Sequence, residues 1–377
     1  MIQNKKLRSI TAFGMSGAVV ILALIFLVLP KQEYSEKENR YLEKFPVWKW
    51  ETVKDGEFMS DISDYLSDHF PFRDFFVGLK TNVEMTLGKQ ELNDVYIAKD
   101  GYLIEEYQKP ANTKRIAATM KSFYEKIKEN DVETHLMLVP TASFIHADKL
   151  PEYAPLTSQM ETASRIYEES GISAIDCSER LLQQADTDNL YYKTDHHWTT
   201  YGAYQGYLEF CRVKNLTPVA LEDMTANRVT EEFYGTIYSK VNDYSRAGDE
   251  ITIYINPADA LTVHYMDTDE ITDSLYNMEY LEKKDKYSLF LNNLHTLIEI
   301  TNENAESEDV LVLIKDSYAN SMVPFLTTHY RKIYVFDTRY YKQKPSEFIA
   351  EHKEVTDVLL LYNMNTLDTD TGIRGIY

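Results

Sequence analysis

The chain has 377 residues, of which 44% are hydrophobic and 26% charged, so it holds enough apolar material for one large globular domain or one domain with an insertion. Its net charge of −21 repels phosphate backbones and argues against a nucleic-acid partner. Two cysteines, Cys177 and Cys211, do not make a disulfide framework. Their spacing leaves open whether they pair or stay as buried thiols.

Residues 10–29, from Ile10 to Leu29, carry no charge and end at Pro30. Twenty residues at ~1.5 Å rise span about 30 Å, the hydrocarbon thickness of a bilayer. Lys5, Lys6 and Arg8 precede this run, and Glu33, Glu36 and Glu38 follow it. The positive-inside rule then places residues 1–9 in the cytoplasm and residues 31–377 outside. A cleaved signal peptide is the rival, but such segments are shorter and end in small residues, whereas this one ends Phe26-Leu27-Val28-Leu29-Pro30. The expectation is an uncleaved single-pass signal-anchor.

Residues 30–60 are polar, aromatic and broken by proline, and read as a juxtamembrane linker before a domain over 61–377. Ile62, Tyr65, Leu66 and Phe70, then Phe75, Phe76, Leu79 and Val83, have helical spacing, for a helix either near the membrane or packed. Two apolar runs flank Lys99-Asp100-Gly101, a hairpin signal. Strands are expected at 135–139, 172–175, 310–314, 333–336 and 358–361. Helices are expected at 116–127, 163–170, 201–213, 319–326 and 346–352. Short apolar strands alternating with helices predict an α/β fold, a parallel sheet covered on both faces. The stretch 225–305 breaks the rhythm with β-like runs at 251–255 and 297–300, and reads as a strand-rich insertion.

Two segments carry potential chemistry. In the first, Asp195-His196-His197-Trp198 sits in a turn just before a helix. The cluster suits three roles: a histidine base oriented by a carboxylate, a metal site, or an N-capping aspartate with partly buried histidines. The second is Val310 to Ile314 followed by Lys315-Asp316-Ser317-Tyr318-Ala319-Asn320. Here a buried strand runs into a sharp turn and then a helix, which is the setting of a nucleophile elbow and equally of an N-cap serine. Each segment supplies what the other lacks, since a serine hydroxyl is a poor nucleophile without a base.

Asp195-His196-His197-Trp198 with Thr-Thr-Tyr-Gly-Ala behind it, and Lys315-Asp316-Ser317-Tyr318-Ala319-Asn320-Ser321, resemble the DHHW proteins. These are similar to the SGNH-hydrolase-like proteins of alginate O-acetylation (AlgX/AlgJ type). Lesser fragments agree, among them Glu38-Asn39-Arg40, Phe233-Tyr234-Gly235 and Tyr287-Ser288-Leu289-Phe290-Leu291. The resemblance runs from about residue 35 to the end. It implies a circularly permuted SGNH-hydrolase-like sheet and a triad of nucleophile Ser317, base His197 and orienting Asp195, with no metal and no cofactor. The usual glycine before Asp-Ser is Lys315 here, and the family's oxyanion residues have no clear match. The backbone amides of Ser317 and Tyr318, with Asn292 and Asn293 as weaker choices for a third donor, are the candidates for that role, and Trp198, Arg339 and Tyr340 for the pocket, although Asp337 and Arg339 also read as a structural ion pair.

The implied activity is an O-acetyltransferase or acetylesterase acting on a surface polysaccharide, with acetyl groups supplied by a membrane-bound O-acyltransferase. A non-catalytic exported scaffold is the alternative. A two-metal phosphoesterase lacks the companion aspartate motifs it would need.

Overall fold

The computed structural model describes residues 2–187 and 189–377, with side chains from residue 11 onward. Met1, part of the expected cytoplasmic tail, lies outside the described residues. The chain forms two compact units. One comprises residues 1–89 with 239–245, the other residues 90–238 with 246–377.

The smaller unit opens with a helix, Ile2–Val28, whose Thr11–Val28 stretch is long and apolar enough to cross a membrane and contains no buried residue. Length and composition fit a single-pass span or a signal sequence. The expected linker is not bare coil. It holds a two-stranded pair, Tyr34–Ser35 with Arg40–Tyr41, and a short helix, Trp50–Asp55. Arg40 explains this order, because its guanidinium donates to Glu38 and to both oxygens of Asp68, a long-range clamp that composition does not reveal. Helices Glu57–Asp68 and Arg73–Thr86 complete the unit, separated at Pro71. The compact α/β unit therefore begins at Gln90, where sequence reading put residue 61.

The larger unit is built on an eight-stranded sheet: β1 Glu133–Val139, β2 Ser173–Ala174, β3 Leu261–Tyr265, β4 Glu270–Thr272, β5 Leu297–Asn302, β6 Val310–Lys315, β7 Lys332–Phe336 and β8 Asp357–Asn363. Their spatial order is β4-β3-β5-β7-β6-β8-β1-β2. The run β7-β6-β8-β1-β2 is parallel, and β5, β3 and β4 extend it antiparallel. Part of the expected insertion thus joins the main sheet. Val263, Ile298 and Ile300 point inward at period two and bury in the same cluster as the parallel strands. The rest, Thr225–Phe233 paired with Asp249–Ile255, is a separate antiparallel ribbon.

β6 shows why the fold is two-sided. Leu311 and Leu313 enter one apolar cluster with Ala203, Tyr207 and Phe210 of helix Thr200–Lys214. Val310, Val312 and Ile314 enter the other, with Met120 and Phe123 of helix Thr113–Ile127. Each such side chain contributes about 1.5–3 kcal/mol on burial, so the central strand is held from both faces. The hairpin about Lys99–Gly101 forms as the sequence predicts, with Asp100 and Gly101 both at positive φ. Cys177 and Cys211 are both buried and free.

Candidate active site

Ser317 follows β6 at the carboxyl edge of the sheet. The turn is fixed by Asp316, whose buried carboxylate accepts from the amides of Tyr318 (2.9 Å) and Asn363 (2.7 Å) and from the Thr366 hydroxyl (2.5 Å). The segment after it differs from the expected helix over 319–326. It is a 3-10 turn, Ser317–Ser321, and then one short helical turn, Val323–Leu326, with Pro324 near its start. Proline cannot donate to a preceding carbonyl, so no continuous helix runs through this point. Lys315, standing where a small residue was expected, is buried with its ammonium 3.7 Å from Asp337.

His197 arrives on a separate loop, 190–199, closed by a bridge between Tyr191 and Trp198 and by the Tyr192 amide donating to the His197 carbonyl. Thr199 then caps helix Thr200–Lys214 through the Gly202 amide, at 3.0 Å, a contact worth about 1 kcal/mol. The Trp198 indole donates to the Tyr318 carbonyl at 2.8 Å and lies over Gly206, where an added Cβ would come within 2.8 Å of the ring. Trp198 therefore locks the histidine loop to the serine turn and does not line an open pocket.

The two segments meet. Ser317 Oγ is 2.7 Å from His197 Nε2, and His197 Nδ1 is 2.5 Å from Asp195 Oδ1. Asp195 and His197 are buried, while Ser317 is half-buried. With Nδ1–H donating to the carboxylate, the Nε2 lone pair accepts a hydrogen bond from the Ser317 hydroxyl. Asp195 also receives the His197 amide (3.1 Å), the Thr236 amide (2.7 Å) and the Thr236 hydroxyl (3.1 Å). Burial opposes its charge. The neighbouring His196 and His197 and these hydrogen bonds outweigh burial and hold it well below the usual carboxylate range. Each hydrogen bond to a charged group is worth about 1.5–3 kcal/mol, enough together to offset a desolvation cost of several kcal/mol. Burial, and after it His196, pushes His197 down to about 4, so its imidazole is neutral at pH 7.

Three supports of this site lie outside the two motifs. Tyr287 stacks on the His197 ring at 3.8 Å, nearly parallel, and its hydroxyl donates to the Ser317 carbonyl (3.0 Å) and reaches Ser321 Oγ (3.1 Å). Gly235 abuts Asp195 so closely that an added Cβ would lie 2.2 Å from the Asp195 Cβ. Asp249, on the ribbon, accepts from the Lys193 amide (2.8 Å), the Thr194 amide (2.8 Å) and the Thr194 hydroxyl (2.6 Å), pinning the residues just before Asp195. The only sequence signals here were the Phe-Tyr-Gly and Tyr-Ser-Leu-Phe-Leu fragments.

The remaining candidates are occupied elsewhere. The Tyr318 amide already donates to Asp316 and its hydroxyl to the His196 carbonyl, so neither is free to serve as an oxyanion donor. The Ser317 amide makes no hydrogen bond among the described residues. Asn292 accepts from Asn277, and Asn293 from Ser288, in a loop with Leu291, Asn292 and Asn293 all at positive φ. Arg339 forks onto Asp337, and Tyr340 is exposed beside the Arg339 guanidinium. Asp195, His196 and His197 offer three ligand atoms within 4.8 Å of one another, but His197 Nδ1 and Nε2 are bound to Asp195 and Ser317, and His196 Nδ1 to Thr236.

The strand-end serine and the buried histidine–aspartate pair meet at the carboxyl edge of a mixed α/β sheet, and the domain is SGNH-hydrolase-like in fold. Residues 95–241 match the family model described as SGNH hydrolase-like domain, acetyltransferase AlgX; the matched segment carries Asp195 and His197 and stops short of Ser317. The chain is similar in structure to a DHHW family protein from Eubacterium siraeum DSM 15702, at 25% identity over 75% of this chain and 96% of that one, with a TM-score of 0.66. It shares its fold with PatB1 of Bacillus cereus bearing a sulfonyl adduct, at 21% identity over 72% of this chain and 95% of that one, TM-score 0.60. PatB1 without the adduct gives 20% identity, 74% and 98% coverage and the same TM-score. A sequence search of curated proteins finds no match.

Proposed function

We propose that this protein is a serine-type O-acyltransferase that moves an acetyl group onto a cell-surface or exported polysaccharide. The observation carrying this reading is the unbroken hydrogen-bond chain Ser317–His197–Asp195, with a neutral imidazole between a half-buried hydroxyl and a buried carboxylate. The acetyl specificity is carried by the AlgX-type family match over residues 95–241.

Ser317 Oγ attacks the acetyl carbonyl as its proton passes to His197 Nε2. The donor oxygen leaves with that proton, giving acetyl-Ser317. An acceptor hydroxyl then loses its proton to His197 and attacks the ester, and the proton returns to Ser317 Oγ as the product departs. Asp195 keeps the Nδ1–H tautomer and stabilises the imidazolium in both halves. The Ser317 amide, uncommitted among the described residues, is the backbone donor for the oxyanion. The N-terminal helix anchors the protein with residues 31–377 outside the cell, and the acetyl donor comes from a membrane-bound O-acyltransferase. The test is pre-steady-state release from an activated acetyl ester. The wild type should give a burst of one equivalent and Ser317→Ala none; a full burst from Ser317→Ala defeats the reading.

A further inference from the structure

Helix Glu57–Asp68 lies beside the outer end of the apolar N-terminal helix. The Tyr65 ring packs edge-on against Phe26, with centroids 6.2 Å apart, and Phe45 also packs edge-on against Tyr65 at 5.3 Å. Phe26 is two residues inside the end of the Thr11–Val28 stretch, so this contact sits about 3 Å below that end. The turn between the two following helices is at the same level. Leu29–Gln32 and Phe70–Asp74 line one crevice of about 280 Å³.

Helix Arg73–Thr86 has two unlike sides. Gly78 and Thr81 face segment 239–245, with the Tyr244 ring against Gly78 and the Thr81 hydroxyl donating to the Val241 carbonyl at 3.0 Å. At 100° per residue, Phe75, Phe76, Leu79 and Val83 fall together on the far side, where Phe75 is 65% exposed and Val83 49%. In the segment that follows Phe45, Trp48 and Trp50 are 63% and 56% exposed. Burying side chains of this size is favourable, and soluble monomers rarely leave such faces open. Aromatic side chains with a polar tip favour the headgroup layer.

We propose that this aromatic face, from Phe45 to Val83, is seated in the outer interfacial layer of the bilayer that the Thr11–Val28 helix spans. The protein is then held by a span and a collar, not a span alone. The inference rests on the membrane-anchor reading above. The occupant is lipid because the face is linked to the span through Tyr65 on Phe26 and through Phe70, which lines the crevice with Leu29 and packs on Phe76 at 5.8 Å, and because the burial it needs is apolar. Glu57, Asp61 and Asp64 on the first helix make attraction to anionic lipid a poor driving force.

The test uses the full chain in phosphatidylcholine nanodiscs. Trp48 and Trp50 emission is read as the difference between the wild type and the double variant Trp48→Phe/Trp50→Phe. It should be blue-shifted, lose most of its intensity to lipid brominated near the carbonyls, and change little with aqueous iodide. Phe75→Trp in the double-variant background should behave the same way. Leu24→Trp in that background reports the span itself and should be quenched by lipid brominated deep in the chains. If Leu24→Trp is quenched while the other reporters face water, the anchor stands and the collar falls, as it would for a face kept for a protein partner. If Leu24→Trp is also in water, the anchor reading fails and the collar with it.

Discussion

The two halves of the candidate site are held by different physics. Ser317 is placed by backbone: β6 is hydrogen-bonded on both sides, buried on both faces, and ends in a turn where Asp316 holds the Tyr318 amide and the Asn363 amide at the end of β8. His197 is placed by side chains. Its loop is held by Asp195 from within, by Asp249 and Thr236 from the neighbouring ribbon and turn, and by the Tyr287 ring above. A strand end tolerates the loss of one neighbour, because register is shared over many bonds. A loop held by single polar contacts does not, and the histidine half should be the one that fails under conservative substitution.

Asp195→Asn tests that contrast most severely. The fold should survive and kcat should drop about 10⁴-fold, because an amide no longer selects the tautomer in which Nε2 faces Ser317. Retained activity would mean that the carboxylate merely caps the loop. Gly235→Ala comes next. Its Cβ would overlap Asp195, and displacement of a catalytic group by about 1 Å costs on the order of 10²-fold, to be read as a fall in kcat with the circular dichroism spectrum unchanged.

The pH profile sharpens the comparison. His197 must be neutral to take a proton, and burial holds it at about 4. Activity is therefore fully present at neutral pH and lost only as pH falls through about 4, provided the fold persists. An acid limb near the ordinary histidine value of about 6.5 would show that the ring is solvated, not enclosed. The smallest effect belongs to Asp249→Asn, which keeps the shape but loses one of three hydrogen bonds to residues 193–194. The urea midpoint should fall by an amount equivalent to about 1–3 kcal/mol. An unchanged midpoint would remove Asp249 from the supports.

The contrast also explains what could be read without a structure. The strands were legible because Val310 to Ile314 and Val358 to Leu361 are continuous apolar runs, and burial on both faces demands that. Ser317 was legible because it stands where such a run stops. The Asp195–His197 pair was visible as an unusual cluster, and the resemblance chose His197 over His196. Asp249, Thr236 and Tyr287 carry no such signal, since a single polar residue making long-range contacts leaves no periodicity behind. The Tyr318 amide is held by the local turn to Asp316, and the Arg40 clamp on Asp68 orders residues 34–68 without any periodic signal.

The central claim is that Ser317 carries the acetyl group. Brief incubation with an activated acetyl ester, acid quench and peptide mass spectrometry tests it directly. The account predicts one added acetyl on the peptide containing Ser317 in the wild type, its accumulation when acceptor is withheld, and its absence in Ser317→Ala. Steady turnover with no adduct on Ser317, or an adduct that persists in Ser317→Ala, would contradict it.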